Sequence, residues 1–136
     1  MTTDTTTPYA ALILRISLGT MFIAHALLKL LVFTPEGTVG FFVSLGIPGW
    51  LAYPTMAIEL IGGVMLILGI KTKQISFALI PVLIGTIVLV HGARGWMFAN
   101  EGGGWEYPLF LIAALTVQSL LGNGAFNLQS IIGKNR

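Results

Sequence analysis

The chain contains no cysteine. It therefore forms no disulfide and does no thiol–disulfide chemistry with its own side chains. It also has no thiolate for a Cys₂His₂ zinc site or an iron–sulfur cluster. Charge is the second shortage. Only 9% of the 136 residues are charged, where a soluble domain carries about 25%. So few charges cannot cover a globular surface in water. The net charge of +2 comes from scattered Lys and Arg with no basic face, which argues against a nucleic-acid partner. No segment shows sustained alternation of apolar and polar residues, and this excludes a membrane β-barrel.

What the chain has instead is apolar length. Hydrophobic residues make up 55% of it, and mean hydropathy is +0.89. Apolar runs fall at about 10–32, 50–70, 74–92 and 107–121, each near the ~20 residues that cross a bilayer as a helix, the last only just. The predicted fold is all-α: one integral membrane domain forming an antiparallel four-helix bundle. Lys71-Thr72-Lys73 is too short a link for anything but a hairpin between the second and third spans. The N-terminus lacks the positive stretch of a signal peptide, and its apolar run is long, so it reads as a retained first span. Lys71, Lys73, Lys134 and Arg136 collect on one side, which predicts that side, and both termini, to be cytoplasmic in a bacterial inner membrane. The two longer loops, about 33–49 and 93–106, then face outward.

The outer side is rich in aromatic rings. Trp50, Trp96 and Trp105 all lie there, with Tyr53 and Tyr107 near them, as expected of an interfacial belt. The segment Gly40 to Pro48 is apolar but too short to span, and reads as an interfacial or re-entrant helix ended by Gly46 and Pro48. Gly102-Gly103-Gly104 predicts a tight or mobile turn in the second outer loop.

Six ionisable groups lie in or at the ends of the spans: Arg15, His25, Lys29, Glu59, His91 and Glu106. Such groups are costly in hydrocarbon and find partners inside the bundle. At ~1.5 Å per residue, Lys29 lies about 3 Å deep from the outer end, His25 about 9 Å, Glu59 about 12 Å and Arg15 about 24 Å. His25 and Lys29 are four apart and share a helical face. Glu59 must be protonated or paired, with His25 and Lys29 nearest in depth. Gln118 is a candidate partner for Arg15, which otherwise snorkels to the cytoplasmic headgroups.

The cluster is open to several chemistries. It could line a quinone pocket, with an apolar slot, polar groups for the carbonyls and a proton path. It could hold a metal through its two histidines and two carboxylates, although no tight ligand spacing such as HxxxH supports that, or an axial haem through His25 and His91. The charges could also simply fix helix register.

The sequence resembles the DoxX family of small bacterial membrane proteins. The resemblance rests on Leu14-Arg15-Ile16-Ser17-Leu18-Gly19 with Phe22, His25 and Lys29, on Phe41-Phe42 through Leu45-Gly46-Ile47-Pro48, on Glu59-Leu60-Ile61-Gly62-Gly63 running to Leu68-Gly69, on His91, and on Trp105-Glu106-Tyr107-Pro108. It implies a four-helix membrane fold. A relative, DoxD, is the membrane subunit of a thiosulfate:quinone oxidoreductase, and other members are linked to oxidative-stress defence.

The resulting expectation is a redox-associated subunit that binds a quinone or similar lipid-soluble molecule. Glu59 and His25 would exchange protons, and His25, Lys29, Glu59, His91, Glu106 and Tyr107 would line the site. With no cysteine and no flavin or nucleotide motif, a redox partner protein is expected. The alternative is a non-enzymatic membrane scaffold. Apolar outer faces are needed for lipid anyway, so a homo-oligomer stays open.

Overall fold

Apolar runs broken by Gly and Pro give a chain of helices, and among the described residues there is no strand. The computed structural model describes residues 4–133. The predicted cytoplasmic charges Lys134 and Arg136 lie outside them. Helix α1 spans Thr7–Leu27 and runs on through a π-helical turn, Leu28–Val32. Helix α2 is the short Pro35–Ser44. A 3₁₀ turn, Gly49–Leu51, leads into α3, Ala52–Leu68. Helix α4, Thr72–Thr86, continues through a second π turn, Ile87–His91, and a 3₁₀ turn, Gly92–Arg94. Helix α5 spans Glu106–Leu121, and α6 is the single turn and a half Leu128–Gly133.

Three of these are long and apolar enough to cross a membrane: Thr7–Val32, Gly49–Leu68 and Thr72–Arg94. Helix α5 is apolar but has 16 residues, about 24 Å, a little short of ~30 Å of hydrocarbon. It does not extend into the residues that follow, because Gly122, at φ 75°, ends it. The short helix expected within Gly40–Pro48 is present as α2, but it starts five residues earlier, at Pro35, and ends at Ser44, before Gly46. Pro35 opens it, Thr34 Oγ1 accepts from Gly37 N at 3.2 Å, and Gly46 at φ 79° follows its end.

Packing holds the helices together, since lipid tails are as apolar as Leu and hydrophobicity alone drives no association. Helix α1 packs most extensively on α3, and α4 on α5. Leu18, Phe22, Leu66, Leu79, Leu83, Leu111 and Leu115 fill the centre. The α1–α3 approach is close because Gly19 faces Gly63. A Cβ on Gly19 would stand 2.6 Å from the Gly63 carbonyl oxygen, and one on Gly63 would stand 2.9 Å from that of Gly19.

Arg15 has neither partner that its depth suggested. It is 1% exposed, and its guanidinium donates to the carbonyls of Leu66 (3.1 Å) and Ile67 at the end of α3. The other amino group donates to Ala125 (2.8 Å) and Phe126 (3.0 Å) in the turn after α5. A helix C-terminus carries unpaired carbonyls and partial negative charge, so a cation is at home there. Gln118 instead donates to the Gly122 carbonyl at 2.8 Å. Nearby, Thr72 Oγ1 donates to Asn123 Oδ1 at 2.6 Å and Lys71 N to Gln129 Oε1 at 2.7 Å, tying the start of α4 to the same turn and to α6.

Candidate functional site

The site lies at the end of the bundle that carries the two longer loops, opposite Arg15. Glu59, on α3, is 5% exposed. A buried carboxylate needs a cation or a proton, and here it has the cation. Lys29 Nζ donates to both of its oxygens, at 2.8 and 3.0 Å. Depth alone left His25 and Lys29 as equal candidates for this role. The π turn at Leu28–Val32 carries Lys29, and such a turn shifts the register of the side chains it holds. Thr38 Oγ1 on α2 lies 3.3 Å from the Lys29 carbonyl, joining that turn to the loop helix.

His25 points its Nδ1 back at the Met21 carbonyl, 2.7 Å away on its own helix. Its ring lies 6.4 Å from that of Tyr107 on α5, with 24° between the planes. The Tyr107 hydroxyl reaches Met21 Sδ at 3.6 Å. His91 closes the π turn of α4, and its Nδ1 meets the Gly103 carbonyl at 2.8 Å.

That carbonyl belongs to a tightly folded second loop. Trp105 N donates to Gly95 O and Glu106 N to Trp96 O, at 3.0 and 3.1 Å. The fold requires glycine at 104, where a Cβ would stand 2.3 Å from the Met97 carbonyl oxygen. Trp96 and Trp105 meet edge to face, 4.6 Å between centroids. The triple glycine thus makes a tight turn that positions a carbonyl for His91.

His25, Lys29, Glu59, His91 and Tyr107 all line one cavity of about 480 Å³. The rest of its wall is mostly apolar, with Phe22, Leu83 and Leu111 from the apolar helices α1, α4 and α5, Phe41 and Phe42 from α2, and Leu45 just after it. The first loop helix therefore supplies part of the cavity wall. Glu106 is not among its lining. The Glu106 carboxylate accepts from Phe98 N at 2.6 Å and borders a neighbouring groove of about 920 Å³, which His25 and Tyr107 also border. Five of the six candidate residues thus share one cavity, and the sixth braces the loop beside it.

Thr55 and Thr86, not singled out from sequence, also line the cavity. Thr55 is four residues before Glu59, so the shared helical face was a usable signal. Thr86 lies a π turn before His91, a spacing that ordinary helical periodicity does not bring to one face. Among the described residues, no three His, Asp or Glu side chains gather as a metal-ligand set.

A bundle of apolar helices enclosing an ion pair and two histidines around an apolar cavity defines a class: multi-pass membrane proteins with polar groups held in the interior. The chain belongs to the DoxX family, whose sequence profile matches residues 10–92. That stretch includes His25, Lys29, Glu59 and His91, while Glu106 and Tyr107 lie beyond it. A protein of Bacillus subtilis (strain 168) named "Putative oxidoreductase CatD" is 33% identical over 125 residues, covering 92% of this chain and 88% of that one. No solved structure matches the chain.

Proposed function

We propose that this protein is a redox-associated subunit of the bacterial inner membrane that binds a quinone, or a similar lipid-soluble molecule, and acts with a partner protein. The observation that carries this reading is the cavity: apolar walls around a Lys29–Glu59 pair and two histidines, these four polar residues all carried by the three long apolar helices. A flat apolar ring with polar oxygens suits such walls. Glu59 and His25 are the groups to exchange protons with it. The oxidoreductase name of the B. subtilis relative agrees with a redox setting. In this proposal the bundle is antiparallel with both termini cytoplasmic, and the cavity opens in the outer half. Electrons come from the partner, because the chain has no cysteine and no flavin or nucleotide motif.

To test it, the protein is purified from native membranes, its lipids are extracted, and its unfolding temperature is measured with added quinone and with added quinol. Co-purified quinone and a saturable rise in unfolding temperature support the reading. Absence of both overturns it. Visible absorbance and elemental analysis of the same sample test the haem or metal alternative.

The bidentate Lys29–Glu59 pair favours a second reading, a scaffold in which the pair only fixes α1 against α3. Replacing both residues by apolar ones of similar size separates the two: a scaffold keeps its function, and a binding site loses it while staying folded.

A further inference from the structure

The polar groups around the cavity are nearly all acceptors. A carbonyl oxygen only accepts, so Nδ1 of His25, 2.7 Å from Met21 O, carries a proton. The same holds for Nδ1 of His91, 2.8 Å from Gly103 O. In the neutral form of the ring, that tautomer leaves a lone pair at Nε2. Neither Nε2 has a hydrogen-bond partner among the described residues, and neither is sealed from the surrounding space. The threonines follow the same pattern. Thr55 Oγ1 donates its proton to Leu51 O at 2.8 Å and Thr86 Oγ1 to Val82 O at 2.9 Å, leaving lone pairs on both. Glu59 only accepts. Of the two donors, Lys29 commits two of its three ammonium protons to Glu59, and Tyr107 directs its hydroxyl at Met21 Sδ.

We propose that the cavity selects ligands that donate hydrogen bonds, so that of a quinone–quinol couple it holds the reduced, dihydroxy form. The quinol hydroxyls donate to the histidine Nε2 atoms, with Thr55 and Thr86 as further acceptors. A quinone would turn carbonyl lone pairs toward the same lone pairs and leave both sides unsatisfied. This inference rests on the quinone reading and adds which redox form occupies the site. It concerns binding alone and involves no electron transfer.

The unaltered protein in detergent is titrated with three probes of one shape: a benzoquinone with a single isoprene unit, its quinol kept reduced without oxygen, and the dimethyl ether of that quinol. Affinity is read from the concentration dependence of the unfolding temperature. The quinol is expected to bind at least about tenfold more tightly than the quinone, each hydrogen bond being worth roughly fivefold to tenfold. The ether is expected to bind no better than the quinone. The His91→Phe and Thr55→Val variants are each expected to lower quinol affinity and leave quinone affinity in place. Quinone binding as tight as quinol, or ether binding as tight as quinol, overturns the inference while leaving the quinone reading standing. Binding of none of the three overturns both.

Discussion

The Lys29–Glu59 pair gives the sharpest energetic prediction. Glu59 is buried and its side chain is 7% exposed, against 20% for that of Lys29. Both carboxylate oxygens accept from one ammonium at 2.8 and 3.0 Å. Removing one member of a buried pair leaves the other uncompensated, at a cost of about 3–5 kcal/mol. The two members are not equivalent. Lys29 sits in the last turn of the first span and has a four-carbon stem, so an orphaned ammonium can reach toward the headgroups. Glu59 is short and enclosed and has no such route. Lys29→Met is therefore expected to cost about 3 kcal/mol or more and Glu59→Gln about 1–2 kcal/mol. The Lys29→Met, Glu59→Leu double variant should lie within about 1 kcal/mol of the unaltered protein. The assay is equilibrium unfolding in mixed detergent micelles at neutral pH, followed by circular dichroism. Equal costs for the two single variants, or a double variant whose cost is their sum, would refute the reasoning.

Arg15→Met strips donors from four carbonyls at once and should cost about 3 kcal/mol or more by the same unfolding assay, with Arg15→Lys recovering only part because one ammonium cannot bridge α3 and the turn after α5. Gly19→Leu should separate α1 from α3 and lower the unfolding temperature markedly, while Gly40→Ala, whose Cβ meets nothing within 4 Å, should leave it unchanged. Gly85 borders the cavity and its Cβ also meets nothing within 4 Å, so Gly85→Leu is expected to keep the fold and abolish quinol-dependent stabilisation. Asp4, held at a pKa of about 2 by the hydroxyls of Thr6 and Thr7, has a folded value below its ordinary 3.8. Its contribution to the start of α1 is then present above pH 3.8 and lost as pH falls through about 2, to be followed by the Asp4 carboxyl signal in NMR.

The spans were legible because hydrocarbon thickness demands apolar length. The structure moves their ends by two or three residues at most, for local reasons. Gly69, at φ 69°, stops α3 just short of the expected end, and Gly92 with Arg94 prolongs the third span by one 3₁₀ turn. The short helix before Gly46 was legible from its breakers. The ion pair was only half legible. Depth brought Glu59 level with His25 and Lys29, but the choice between them depends on the π turn that carries Lys29, and periodicity at 3.6 residues per turn does not show it. The histidine tautomers depend on carbonyls four residues back and in a glycine turn twelve residues on. Arg15 was misjudged because its partners are backbone oxygens of α3 and of the turn after α5, and backbone acceptors leave no mark in a sequence. Glu106 matched the others in depth, yet its carboxylate turns to the backbone of Phe98 rather than into the cavity.

The central claim is that a lipid-soluble ring occupies the cavity between Lys29–Glu59 and His91. The most direct measurement is photolabelling in native membranes with a photoreactive benzoquinone analogue, followed by peptide mass spectrometry. The account predicts labels confined to the cavity wall, on peptides carrying residues such as Phe22, Phe42 or Leu83, and their loss when unlabelled quinol is added. Labels spread over lipid-facing residues such as Leu31, Val88 or Leu120, unchanged by competitor, would contradict it.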